Sequence, residues 1–342
     1  KGIFFKGKKQ IMNRKFWLGL LISFAFLYIA FRNVDLGLLF LSIKSTSLPF
    51  LIPVVGLTVF FYLIRALRWF HLLEPIKKTR LSSLFSSTVI GFAANCVLPA
   101  RLGEFVRANY IGRMESISKS SSLATIVIER LFDVFTILLI FLFVILFTDF
   151  SPEWESTGKA LKTGGFLMFI IFIVSILLLI GLKEKTQTFL NIVERVCFFL
   201  PERIRQKILD ILKDFSKGLV LVKDPSQLFA IIFYSFTLWC LTVFQIYLVG
   251  LSMGLSLPFW APFFILVLLC FSVAIPSAPG YIGTFHLACQ YGLIFYGFGK
   301  EKALSMAIVL HATGFIPTII LGLIILFLQH ISLRSLTNSK GL

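Results

Sequence analysis

The chain has 342 residues, 58% of them hydrophobic and only 14% charged, with 40 Phe and a mean hydropathy of +0.93. A soluble chain carries roughly a quarter charged residues, and here the apolar residues come in long blocks. That excludes a soluble enzyme, a disordered chain and a nucleic-acid-binding domain, and gives the net charge of +17 a membrane explanation.

A spanning helix needs ~20 apolar residues. The first block, Phe16–Phe31, follows Lys1, Lys6, Lys8, Lys9, Arg14 and Lys15 and has no small-residue cleavage site after it, so it reads as a retained first span. Leu51–Phe70 reads as the second. Leu84–Leu98 is different: it contains Ser86, Ser87, Thr88 and Asn95 and ends in Pro99-Ala100-Arg101-Leu102-Gly103-Glu104. Spans are expected at Leu123–Phe147, Phe166–Leu182 and Leu228–Val249. Phe259–Ile275 then runs into Pro276-Ser277-Ala278-Pro279-Gly280-Tyr281-Ile282-Gly283, inside an interrupted block that continues to Phe298. Ala303–Leu328 is the last span.

Pro and Gly at this density break helices. Broken backbone at membrane depth persists only where protein or a water-filled cavity satisfies it. The segments around Pro99–Gly103 and Pro276–Gly283 are therefore expected to be re-entrant helical hairpins. The predicted fold is an all-α integral membrane protein with six full spans and two oppositely oriented hairpins, eight membrane elements if each hairpin is counted. With the N-terminus inside, the inner segments hold 24 Lys and Arg and the outer ones six, which places both termini in the cytoplasm.

In the inner segment 183–225, Ile204, Ile208, Ile211, Phe215, Leu219 and Val222 form a helical apolar stripe, with Arg203, Arg205, Lys207, Lys213 and Lys217 on the other faces. It reads equally well as a basic helix lying on an anionic leaflet or as a linker packed on the bundle.

Pro99-Ala100-Arg101-Leu102-Gly103-Glu104-Phe105 resembles Pro279-Gly280-Tyr281-Ile282-Gly283-Thr284-Phe285 at an offset of 180 residues. The same offset lays Leu51–Phe70 on Ile231–Gly250 and pairs Arg65 with Gln245. At 181, Leu123–Phe147 falls on Leu304–Leu328 and Arg130 on His311. One polytopic domain over 1–342 is predicted, an inverted repeat with halves at about 36–148 and 226–330. Such repeats, with broken helices near the midplane, form a recurrent transporter plan.

Ionisable side chains inside apolar spans mark function or a specific packing pair. Glu129, Arg130 and Asp133 lie well inside their span, with Glu129 and Asp133 sharing a face. Either Arg130 fixes helix packing through a carboxylate, or the trio lines a headgroup path. Arg65 and Arg68 share a face near Trp69 and His71; Arg68 also reads as a snorkelling side chain, and a guanidinium fork suits phosphate. Arg101, Glu104 and Arg107 follow the first break, and Asn95 precedes it as a cap or a ligand. In the second half, Gln245, His286 and His311 are the polar candidates. The trio alone sums to −1, which attracts a cationic headgroup. The arginines around the first hairpin favour an anionic one.

Arg65-x-x-Arg68-Trp69, Asn95-x-x-Leu98-Pro99-x-Arg101-x-Gly103-Glu104-x-x-Arg107, Glu129-Arg130-x-x-Asp133 and Pro279-Gly280-x-x-Gly283-x-x-His286 together resemble the transmembrane domain of lysylphosphatidylglycerol synthases, over roughly residues 12–330. In two-part members of that family this domain moves the aminoacylated lipid to the outer leaflet, and a soluble domain transfers the amino acid from tRNA. The soluble domain is expected to be absent here. The resemblance implies a flippase- or scramblase-like carrier of a phosphate-bearing lipid: a phospholipid, aminoacylated phosphatidylglycerol or a polyprenyl-phosphate-linked lipid. The competing classes are a membrane enzyme using Glu104, Glu129 or Asp133 as general base, and a membrane partner docking an enzyme through 183–225. Membrane lipids are the expected partners, with a separate lipid-modifying enzyme and a second copy of the chain as further ones. No nucleic acid, metal or cofactor is expected, and the expected location is a bacterial or archaeal cytoplasmic membrane.

Overall fold

The computed structural model describes residues 17, 19–98, 102–148, 154–218 and 224–329, and all regular structure among them is helical. The first two helices among the described residues, α1 (Gly19–Phe31) and α2 (Leu36–Lys44), meet at 89°. α1 falls within the expected first span, Phe16–Phe31, and α2 turns away after it. Asn33 adopts a left-handed φ of 61°, and the Asp35 carboxylate accepts the N–H groups of Gly37 (2.7 Å) and Leu38 (3.0 Å), starting a new helix. Phe16 lies outside the described residues.

Among the described residues five helices are long and apolar enough to cross a membrane: α3 (Leu48–Leu73), α6 (Lys119–Phe147), α7 (Glu155–Glu184), α10 (Pro225–Ser252) and α13 (Lys300–Leu328). The bent α1–α2 pair makes a sixth if counted as one span. α3 and α10 pack along each other at the centre, with α6 and α13 against them. Helix α7 is peripheral: only 17% of its apolar window is buried, and Ile171 and Leu177 face outward. In a membrane protein such a surface belongs to lipid.

Between the long helices lie two short pairs. α4 (Leu81–Val97) and α5 (Gly103–Glu115) run antiparallel, since Ser87 bonds the Arg107 carbonyl (2.9 Å) while Gly91 lies against Gly103. α11 (Ala261–Ala274) and α12 (Thr284–Phe295) form the second pair around a 3-10 turn at Pro279–Tyr281, with Gly292 against Ile265. At 1.5 Å per residue, the 17-residue α4 is about 25 Å long, short of the ~30 Å hydrocarbon core.

The helix boundaries follow the sequence offset. α4 and α11 begin at 81 and 261, α5 and α12 end at 115 and 295, and α6 and α13 occupy 119–147 and 300–328. Segment 183–225 holds two helices, α8 (Thr186–Val196) and α9 (Glu202–Gly218), and the described part of the apolar stripe lies on α9. Phe215 packs with Phe189, Leu182 and Ala124 at the bundle, whereas Ile204 and Ile211 stay exposed. Leu219 and Val222 lie outside the described residues.

Candidate functional site

α3, α5 and α6 converge on a buried ionic network. On α3, Arg65 and Arg68 are one turn apart and point the same way; on α6, Glu129 and Asp133 do the same from the opposite side. Arg65 reaches Glu129 (3.1 Å) and Asp133 (3.4 Å) through one Nη1. Arg68 donates to Asp133 (2.7 Å) and to Ser235 of α10 (2.9 Å), and its second Nη lies 3.3 Å from Glu129. Arg107 on α5 grips Glu129 with both nitrogens, at 3.0 and 2.9 Å. Arg130 closes the group, 2.6 Å from Glu129, 3.2 Å from Asp133 and 3.8 Å from Glu104. Glu129 therefore touches four arginines.

Burying one ion costs several kcal/mol, and attraction offsets this only with excellent geometry and satisfied hydrogen bonds. The bidentate Arg107–Glu129 pair meets that condition. Aromatic faces add to it: the Arg107 guanidinium lies 3.7 Å from the Trp69 ring centroid, and Arg65 lies 4.7 and 4.9 Å from Phe61 and Phe92. Trp69 is fixed by its own N–H to Thr125 (2.9 Å). The satisfaction is incomplete, because Nε of Arg65, Arg68, Arg107 and Arg130 are buried without hydrogen-bond partners. Arg65, Arg68, Arg107, Glu129 and Asp133 have side chains at most 7% exposed, while Arg130 and Glu104 reach the surface at 36% and 24%. The network thus has one open end.

Two glycines bring Arg107 and its carboxylates within reach. A Cβ on Gly103 would sit 2.0 Å from the Gly91 carbonyl oxygen, and one on Gly91 would sit 2.8 Å from Arg107 Cβ. Asn95 is a cap, its Oδ1 accepting the Gly103 N–H at 2.7 Å. Of the predicted residues at this break, Pro99 and Arg101 lie outside the described residues.

The second half holds a separate, uncharged group. His311 of α13 bonds the Gly280 carbonyl (2.8 Å), and its ring lies 4.8 Å from His286, 5.0 Å from Phe285 and 5.0 Å from Phe315. His286 Nδ1 accepts the Gly283 N–H at 3.4 Å. Gly280 and Gly283 have φ of +73° and +95°, which side chains with a Cβ rarely adopt. Pro276 and Pro279 flank the break, and Ser23 of α1 anchors it by accepting the Ala278 N–H at 2.7 Å. Gln245 does not join the ionic network; it bonds Val54 (3.2 Å) and Thr58 (3.0 Å) on α3. The two breaks approach each other, since a Cβ on Gly280 would stand 3.4 Å from the Cys96 carbonyl oxygen.

Sequence reasoning found every charged member of the network but treated Glu129, Arg130 and Asp133 as an isolated trio of charge −1. Arg65, Arg68 and Arg107 join it, and with Glu104 the described members sum to +1. Ser235, Phe61 and Phe92 were missed, since nothing local marks a serine or phenylalanine as an arginine's neighbour.

Fold and site together define a multi-pass helical membrane protein built around a buried arginine–carboxylate network. The chain belongs to the family described as Lysylphosphatidylglycerol synthase TM region, which matches residues 16–322. It is similar to a UPF0104 membrane protein of Methanothermobacter thermautotrophicus, 27% identical over 59% of this chain and 62% of that one. A UPF0104 membrane protein of Methanocaldococcus jannaschii is 25% identical over 68% of this chain and 93% of its own length. No solved structure matches the chain.

Proposed function

We propose that the protein is a flippase- or scramblase-like carrier of a phosphate-bearing lipid in a cytoplasmic membrane of a bacterium or archaeon, with both termini inside. The observation that carries this is a buried network with surplus positive charge whose open end is Arg130. An uncompensated charge at membrane depth is costly, and a phosphate headgroup supplies the missing anion through the forked contacts that arginine favours.

The matching helix boundaries at offsets of 180 and 181 support an inverted repeat, and the short antiparallel pairs α4–α5 and α11–α12 support two re-entrant hairpins. The halves about 36–148 and 226–330 then meet where Gly280 faces Cys96, as in carriers whose substrate sits at the repeat interface. The alternative, an enzyme modifying the lipid headgroup, needs a carboxylate free to take a proton. Glu129, Asp133 and Glu104 each face arginine instead.

Purified protein in liposomes carrying fluorescent phosphatidylglycerol in both leaflets provides the test. Dithionite quenches only the outer leaflet, so carrier activity drives the loss past one half. Arg130→Ala should slow that second phase at least tenfold while the protein remains folded in detergent. Wild-type liposomes that stop at one half would sink the carrier reading.

A further inference from the structure

The ionic network also specifies the charge of its ligand, an inference that rests on the carrier reading and narrows its substrate. The described members are four arginines (Arg65, Arg68, Arg107, Arg130) against three carboxylates (Glu129, Asp133, Glu104), leaving one positive charge. The buried Nε groups of Arg65, Arg68 and Arg107 have no hydrogen-bond partner, so donors remain for an incoming oxyanion. At the opening, Arg130 and Glu104 stand 3.8 Å apart, the longest ion pair of the group, and both reach the surface. A ligand entering there meets a cation with a carboxylate beside it.

We propose that this site takes a lipid phosphodiester, whose single negative charge balances the network, and that Glu104 sets that preference. A phosphomonoester carries about −1.5 to −2 at neutral pH and overshoots the balance, with its excess facing Glu104. A headgroup with no net charge leaves the surplus cation uncompensated, and a lysylated headgroup adds to it. Glu104 is then a specificity residue: it does not hold the phosphate but subtracts one charge from the arginines that do.

The experiment is native mass spectrometry of the purified full chain in detergent. The protein is offered an equimolar mixture of phosphatidylglycerol, phosphatidic acid, phosphatidylcholine and lysylphosphatidylglycerol of the same acyl chains. Wild type should retain phosphatidylglycerol over phosphatidic acid by about tenfold, the effect of roughly one partly screened charge. Glu104→Gln raises the network to +2 and should reverse the order. Glu104→Asp keeps the charge and should keep the wild-type order, which separates charge from shape. Glycerophosphoglycerol, the same diester without acyl chains, should not displace the lipid in hundredfold excess; displacement would assign the site to a free phosphodiester. An unchanged ratio in Glu104→Gln, or equal retention of both lipids by wild type, overturns charge matching and leaves the carrier reading standing. Full lipid retention in Arg130→Ala would instead remove the network from the lipid site and take both readings with it.

Discussion

The two halves of the proposed repeat have similar helix boundaries and opposite interiors. Helices α3 to α6 close around four arginines and their carboxylates, whereas α10 to α13 close around histidine, glutamine, serine and threonine. In the sequence offset Arg65 corresponds to Gln245 and Arg130 to His311. The helix boundaries therefore do not require charge. The second half reaches similar order with neutral hydrogen bonds, aromatic rings and two glycines at positive φ.

Breaking the charged centre should have the largest effect. Glu129→Ala removes the carboxylate that four guanidiniums share and leaves Arg107 without its ion pair; it is expected to cost about 3–5 kcal/mol, seen as loss of folded protein in a detergent thermal-unfolding assay. Arg68→Gln should cost less, because Asp133 keeps Arg65 and Arg130 as partners. Equal losses would mean that the network answers to its total charge rather than to Glu129.

The comparable blow to the second half is to its backbone. Gly283→Ala places a Cβ 2.5 Å from the Ser23 carbonyl oxygen at a φ of +95°. About 2 kcal/mol is expected from the strained conformation, and cysteines on α1 and on the break should lose their crosslinking efficiency. His311→Phe retains ring stacking on Phe315 but leaves the Gly280 carbonyl without its donor, at about 1 kcal/mol by the same unfolding assay. Should it cost as much as Glu129→Ala, the contrast between the halves disappears. The smallest change is expected for Gln245→Leu, which removes two bonds to α3; interhelical bonds of this kind average about 0.6 kcal/mol in membrane bundles.

The long helices and both breaks were legible in the sequence because apolar length and Pro-Gly clusters are local signals. The sharp turn after Phe31 had a local signal too, Asn33 followed two residues later by Asp35 as a cap, but the apolar run before it dominated. The charged site was legible in membership and not in wiring. Charges inside spans stand out wherever they fall, yet Arg65 and Glu129 are 64 residues apart, and their contact depends on how α3 and α6 cross. The repeat offset set Arg130 beside His311 as counterparts, while in the fold Arg130 lies among carboxylates of its own half. Correspondence by symmetry is not contact.

The close meeting of Gly91 with Gly103 has a mechanical consequence. A shift of α5 along α4 by one residue would bring the side chain of Leu102 or Glu104 against the Gly91 carbonyl, where even a single Cβ has no room. The notch is thus a detent: α4 and α5 are locked in register and cannot slide past each other. Asn95, which fastens the Gly103 amide across the break, holds the same setting. For the proposed carrier, the motion this register permits is the α4–α5 pair rocking as one body against α6. Such rocking would have to open the bidentate Arg107–Glu129 clasp, whose bonds are 3.0 and 2.9 Å long.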